Sequence, residues 1–118
     1  MANDERLVCA SGALLDSGKA VRFEVEYFGE RTPAFVLRFH GRVHAYLNRC
    51  GHVPMELDWR AGEVFDIEGR DLICSTHGAS YAAGSGKCVG GPCGKTPLVK
   101  LRVEERGGSI YYLGSEDD

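Results

Sequence analysis

The sequence lacks the features that mark several classes of protein. Its 14 lysine and arginine residues are outnumbered by 17 acidic residues, which gives a formal net charge of -3. A protein that binds nucleic acid or an anionic membrane needs clustered positive charge, and the sequence has no such cluster. No apolar run reaches the length of a signal peptide or a transmembrane helix. We therefore expect a soluble, cytoplasmic protein that binds neither nucleic acid nor membrane.

The sequence also lacks the residue patterns of common catalytic sites. It has no serine nucleophile with a base, and no phosphate-binding glycine loop between a strand and a helix. Once the two histidines of the motifs described below are set aside, no pair of histidines with a carboxylate is left for a mononuclear iron. These absences argue against an enzyme. A chain of 118 residues is expected to form a single domain.

No segment has a convincing helical period, and the pattern is one of short strands separated by glycine turns. Alternating apolar and charged residues predict a strand at 21–27. Three hairpins are predicted after it, each with a glycine in its turn. Their segments are 34–39 with 43–47, 64–67 with 72–73, and 98–104 with 110–113. The sequence therefore predicts an all-β fold in which the first two hairpins lead to Cys50 and Cys74.

Two short motifs carry the chemistry of the sequence, Cys50-Gly51-His52 and Cys74-Ser75-Thr76-His77. Together they offer two thiolates and two imidazoles. Two cysteines can bind one iron of an iron-sulfur cluster while two histidines bind the other, and the histidine-bound iron then gains the electron. The glycines that follow, between 78 and 94, allow tight loops whose backbone N–H groups approach bridging sulfides.

The motifs resemble the cluster-binding pattern of Rieske proteins, in which the first loop reads Cys-x-His and the second Cys-x-x-His-Gly. Asn48 before the first motif and Gly91-Pro92 after the second also match, so the resemblance covers roughly residues 46–98. It implies one 2Fe-2S cluster with four ligands, Cys50, His52, Cys74 and His77. Three further residues are expected to surround the cluster: Gly78, Tyr81 and Pro92.

The resemblance also implies the architecture, a Rieske-like antiparallel β-sandwich with an inserted small cluster-binding lobe. Residues 1–49 and 95–118 are expected to form the base, and residues 50–94 the lobe. Rieske oxygenases carry their mononuclear iron in a long second domain, for which this chain has no room. We therefore expect a stand-alone Rieske ferredoxin-like electron carrier that serves an oxygenase or reductase partner. The sequence gives no indication of its oligomeric state.

The sequence also allows three other interpretations. The chain can be a small or regulatory subunit of a larger redox enzyme. The same ligand types can hold a structural zinc, although zinc modules usually space both pairs by two to five residues. Cys50, Cys74, Cys88 and Cys93 can also form an all-thiolate cluster, but this arrangement leaves both histidines unexplained.

Cys88 and Cys93 have two open interpretations. They are either free thiols packed near the cluster or partners in a local disulfide, and a reducing cytosol favours free thiols. The resemblance excludes the disulfide that joins the two ligand loops of high-potential Rieske proteins. The corresponding positions are Met55 and either Ser75 or Thr76.

Other residues with metal-binding or redox chemistry are not assigned to the site. Cys9 lies in a short apolar run and is expected in a buried strand. His40 and His44 flank a predicted turn and are expected at a sheet surface. Met55 and Trp59 are expected to pack the lobe.

The segment between the two motifs is acidic. It carries six carboxylates and two arginines, for a net charge of -4. The carboxylates are Glu56, Asp58, Glu63, Asp66, Glu68 and Asp71. They form either a solvated face or a docking surface for a basic partner.

The second motif also predicts the reduction potential. In high-potential Rieske proteins a serine and a tyrosine follow the second histidine and donate hydrogen bonds to sulfur, which raises the potential. The serine position is Ala79 in this sequence, whereas the tyrosine is kept as Tyr81. We expect a potential in the lower half of the Rieske range, which runs from roughly -150 to +300 mV. Protein-film voltammetry measures it, and a value in the upper half would contradict this assignment.

Overall fold

A computed structural model describes residues 6–49, 63–65, 69–74, 79–90 and 97–115. Within these ranges the chain forms nine β-strands and one 3-10 helix, Ser11–Ala13. The strands are β1 (Arg6–Ala10), β2 (Val21–Tyr27), β3 (Glu30–Phe39), β4 (Arg42–Leu47), β5 (Asp71–Ile73), β6 (Ser80–Ala82), β7 (Cys88–Gly90), β8 (Lys100–Arg106) and β9 (Ser109–Ser115). The predicted all-β class is confirmed. No helix in these ranges is long and apolar enough to cross a membrane.

The strands form two antiparallel sheets. A six-stranded sheet has the order β1-β9-β8-β4-β3-β2, and a three-stranded sheet has the order β5-β6-β7. All three strands of the smaller sheet come from the chain between β4 and β8. This topology agrees with a lobe inserted into a base, but the predicted boundaries at 49/50 and 94/95 involve residues outside the described ranges. The division into 1–49 with 95–118 and 50–94 therefore stays a prediction.

The predicted strands are largely present in the structure. β2 has the predicted bounds, and its exposed and buried residues alternate as expected. β3 begins earlier than predicted, at Glu30, because Phe28 and Gly29 adopt positive φ angles and fold β3 back onto β2. The hairpin around residue 68 is represented by a bridge between Phe65 and Leu72, since residues 66–68 lie outside the described ranges.

Two buried clusters form the core. One lies on the face of the six-stranded sheet that includes Val25, Val36 and Leu101. The other fills the space between the sheets, and its largest members are Tyr46 from β4 and Tyr81 from β6. Apolar burial on both faces of β4 therefore holds the small sheet against the large one.

Arg38 in β3 ties the chain before β2 to the six-stranded sheet. Its guanidinium donates to the carbonyl oxygens of Leu14 and Ser11, at 3.0 and 3.3 Å. Its Nη1 and Nη2 atoms also donate to the two carboxylate oxygens of Glu105 in β8, at 3.0 and 2.7 Å. The hydrogen bond from Arg38 is the main reason why the pKa of Glu105 is lowered to about 2.

Gly86 packs closely against Tyr46 at the contact between the two sheets. Its φ angle is +78°, and a Cβ at this position would lie 2.8 Å from Cε1 of Tyr46. Its backbone N–H donates to the carbonyl of Ala82, and its own carbonyl accepts from Leu98 N–H, both at 2.8 Å. The position therefore requires glycine for two separate reasons, the left-handed backbone and the lack of space.

Replacing Gly86 with alanine should destabilise the protein more than replacing Gly29. Gly29 has nearly the same φ angle, +79°, but open space around it. Gly29→Ala should therefore show only the backbone cost, about 1 kcal/mol, whereas Gly86→Ala adds an overpacking cost of about 1–3 kcal/mol. Denaturant unfolding of both variants at equal cluster content measures the difference. Equal losses of stability would contradict the packing of Gly86 against Tyr46.

Candidate metal centre

The second motif begins where β5 ends. Cys74 follows β5 directly, and its side chain is fully buried. The backbone N–H of Cys74 donates to the carbonyl of Ala79 at 2.8 Å, so the two ends of the 75–78 segment are held together. The β5–β6 pairing continues this contact, with Ile73 opposite Ser80.

The first motif follows the end of β4. The backbone N–H of Leu47 donates to the carbonyl of Val99 at 3.0 Å, and that of Asn48 donates to the carbonyl of Pro33 at 2.8 Å. Asn48 is fully buried, although it is polar. The chain is therefore fixed on both sides of β4 up to two residues before Cys50.

The structure describes only some of the predicted site residues. Among the four predicted ligands it describes Cys74, and among the surrounding residues it describes Tyr81. The other predicted site residues lie outside the described ranges: Cys50, His52, His77, Gly78 and Pro92. Within the described ranges, no three histidine, cysteine or acidic side chains lie close enough together to hold a metal ion. The ligand assignment therefore stays a prediction.

The environment of Cys74 fits a thiolate ligand of an iron-sulfur cluster. The side chain belongs to the buried cluster between the sheets, together with Ala79 and Tyr81. Its sulfur is disulfide-bonded, so it faces another cysteine sulfur. Once both sulfurs are reduced to thiolates, such a pair of cysteines supplies the donor set that the cysteine-bound iron of a Rieske cluster requires.

Tyr81 lies at the centre of the small sheet. It is opposite Leu72 in β5 and Cys88 in β7, and its side chain is fully buried. Tyr81 therefore points into the same core as Cys74. A buried phenolic hydroxyl requires a hydrogen-bond partner. The expected rise in the reduction potential requires that this partner is a sulfur atom.

The structure distinguishes the cysteines outside the ligand set. Cys88 is disulfide-bonded, so the expectation of a free thiol, which a reducing cytosol suggested, is wrong at this position. Cys93 lies outside the described ranges. Cys9 is free and lies in a strand, β1, as predicted, but it is half-buried rather than buried because β1 is at the edge of the sheet. Burial raises the pKa of its thiol.

The two described histidines lie at the surface of the six-stranded sheet, as predicted. His40 is exposed and stacks on the ring of Phe39, with 4.0 Å between the ring centroids. His44 is half-buried in β4. Burial, followed by the nearby charges of Lys100 and Arg42, lowers its pKa, so its imidazole is neutral at neutral pH.

Most of the residues singled out between the two motifs lie outside the described ranges. Met55 and Trp59 lie outside the described ranges, as do Glu56, Asp58, Asp66 and Glu68. The structure describes only Glu63, which is exposed, and Asp71, which is half-buried.

Comparison with known families agrees with the fold and the motifs. Residues 5–104 match the family model of the Rieske [2Fe-2S] domain. The chain therefore belongs to the Rieske [2Fe-2S] domain family. It holds one 2Fe-2S cluster and is an electron-transfer protein. This finding favours the mixed cysteine and histidine cluster over the zinc and all-thiolate alternatives.

Solved structures of ferredoxins and oxygenases share this fold. The ferredoxin of carbazole 1,9a-dioxygenase from Nocardioides aromaticivorans IC177 is 23% identical, with a TM-score of 0.74, over 94% of this chain and 98% of its own. A chain in the complex of reduced oxygenase and oxidised ferredoxin in carbazole 1,9a-dioxygenase is also 23% identical, with a TM-score of 0.72, over 94% of both chains.

The terminal oxygenase from the same Nocardioides strain is 16% identical, with a TM-score of 0.72. The match covers 97% of this chain but only 31% of the oxygenase. No curated protein sequence matches this chain significantly.

Replacing Tyr81 with phenylalanine should lower the reduction potential by tens of millivolts. The change removes one hydroxyl and keeps the buried ring. If the hydroxyl donates to a cysteine sulfur, a loss of about 1 kcal/mol corresponds to roughly 40 mV for one electron. Protein-film voltammetry of both proteins at one pH measures the shift.

Tyr46→Phe is the matched control for this experiment. Its buried hydroxyl donates to the carbonyl of Ala83 at 2.7 Å, so its loss should reduce stability and leave the potential nearly unchanged. An equal shift in both variants would show that the potential responds to core packing in general. No shift in Tyr81→Phe would show that its hydroxyl does not interact with the cluster sulfurs.

Proposed function

We propose that this chain is a stand-alone Rieske ferredoxin that donates single electrons to an oxygenase partner. The observation that carries this proposal is the overlap with the Nocardioides ferredoxin, which covers nearly the whole length of both chains. The same fold makes up less than a third of the matched oxygenase. A reductase is the expected source of the electrons, and the cytoplasm is the proposed location.

The proposed ligands are Cys50 and Cys74 for one iron and His52 and His77 for the other. The position of Cys74 supports this assignment, because it is buried at the end of β5 with its sulfur facing another cysteine. The end of β4 at Leu47, three residues before Cys50, supports it as well. When bound, the cluster supplies reversible one-electron chemistry.

The protein contributes charge and rigidity to this chemistry. The neutral imidazoles of His52 and His77 make the ligand set less negative than four thiolates, so an added electron costs less. The backbone hydrogen bond between Cys74 and Ala79 fixes the base of the second loop. Electron transfer is fast when a site rearranges little on reduction, and a fixed loop base favours this.

A partner of the oxygenase type follows from the relatives. In carbazole 1,9a-dioxygenase, a ferredoxin forms a complex with an oxygenase. The acidic segment between the two motifs can meet a basic surface of such a partner.

Metal analysis and spectroscopy of His→Cys variants test the proposed function. The wild-type protein purified without air should contain two irons and two labile sulfides per chain, with the low average g-value EPR signal of mixed ligation. In His52→Cys and His77→Cys, any surviving cluster should have a much lower potential, because a thiolate replaces a neutral imidazole. His40→Cys is the matched control, since His40 is exposed in the turn before β4.

The outcomes separate the possibilities clearly. One zinc per chain without visible absorption would refute the electron-carrier function. An unchanged potential in both His52→Cys and His77→Cys would remove these residues from the ligand set. A shift in His40→Cys as large as in the other variants would show that the effect is not specific to the ligands.

A further inference from the structure

A groove of about 550 Å³ lies along β4 and β8. Among the residues that line it are Arg42 and His44 from β4 and Lys100 and Arg102 from β8. Lys100 is opposite Tyr46 in the β4–β8 pairing, so the two side chains lie on the same face of the large sheet. Arg42, His44 and Arg102 lie two or four residues from this pair along the same strands, so they share that face, against which the small sheet packs. The groove is therefore on the lobe side of the base.

The groove directly adjoins the small sheet. The ammonium group of Lys100 donates to the carbonyl of Gly84 at 3.1 Å, in the connection between β6 and β7. The ring of His44 also approaches this connection, since a Cβ on Gly84 would lie 4.0 Å from its Cε1. The groove therefore borders the connection between β6 and β7 directly.

No carboxylate in the described part of the chain pairs with the positive charges of the groove. Among the described residues, Arg42, Lys100 and Arg102 form no ion pair, and the guanidinium of Arg102 donates to the carbonyl of Leu113. Glu104 also lines the groove, but its carboxylate pairs with Arg106 at 3.5 Å. Three cations thus converge in one concave surface of a protein whose net charge is -3.

We propose that this groove binds a carboxylate-rich segment on the surface of the redox partner. The proposal rests on the proposed function, because it assigns a second contact surface to the same electron-transfer complex. Charge complementarity supports an acidic occupant, since carboxylates satisfy cations that have no counter-charge within the described chain. The cations of the groove guide the partner during approach and fix its orientation.

The distance from the metal centre allows one partner to cover both surfaces. The five residues from Ala79 to Ala83, which include β6, span about 13 Å in extended conformation. A standard protein interface buries about 800 Å² on each side, which corresponds to a patch roughly 30 Å across. A partner placed at the cluster end of the lobe can therefore also reach the groove.

Reversal of the groove charges should slow electron transfer from an acidic partner. The probe is a reduced flavodoxin, an acidic one-electron donor, and stopped-flow absorbance follows reduction of the cluster. Arg42→Glu with Arg102→Glu should lower the second-order rate constant at least fivefold at low ionic strength. The difference should shrink at high ionic strength, where the Debye length is only a few ångströms.

The matched control is Lys19→Glu with Arg31→Glu. Both pairs of substitutions change the net charge by -4, from -3 to -7, but Lys19 and Arg31 are exposed and lie before β2 and in β3. The control should slow the reaction less than twofold. Arg42→Gln with Arg102→Gln provides a neutral version of the groove variant in case charge reversal impairs folding.

The possible results distinguish this proposal from the proposed function. An equal effect of both reversed pairs, or no effect of either, would overturn the groove proposal while iron content and dithionite reduction remain normal. A wild-type protein without a cluster would overturn the proposed function itself. Self-association that the groove variants abolish would identify a second copy as the occupant and would also overturn the proposal.

Discussion

The hydrogen bond from Tyr46 to the carbonyl of Ala83 joins the two sheets inside the core. Tyr46 belongs to β4 of the base, and Ala83 follows β6 of the small sheet. A buried carbonyl without a partner costs free energy, so this bond favours one arrangement of the two sheets. Gly86 lets the Tyr46 ring approach the small sheet closely. The position of Cys74 at the end of β5 depends on this contact, because β5 pairs with β6.

The two ends of the small sheet differ in their chemistry. At one end of the small sheet, Cys74 lies in the buried apolar cluster between the sheets. The other end adjoins Lys100 and the cations of the groove. Electron transfer requires close approach of the partner to the metal centre. Charged groups steer the partner and fix its orientation. The Cys74 end of the small sheet and the groove are therefore closer together than the width of one protein interface.

The fold class and the type of metal centre could be predicted because each depends on a pattern within a short stretch of sequence. The alternation at 21–27 identified β2, and the spacing of the two motifs identified the family. β6 and β7 have only three residues each, which is too short for an alternation to be recognised. The groove was not predicted, because Arg42 and Lys100 are distant in sequence. Only the register of β4 with β8 brings them together.

The insertion of the lobe between β4 and β8 has a kinetic consequence. The pairing of Ala45 with Leu101 encloses the whole lobe in one loop, and the β1–β9 pairing joins residues more than a hundred positions apart, such as Arg6 and Tyr112. Each doubling of a loop adds only about 0.6 kcal/mol to its closure, so lobe length has little effect on stability. Contacts of such high sequence separation slow folding, however. The chain is therefore expected to complete its base sheet late, after the local hairpins have formed.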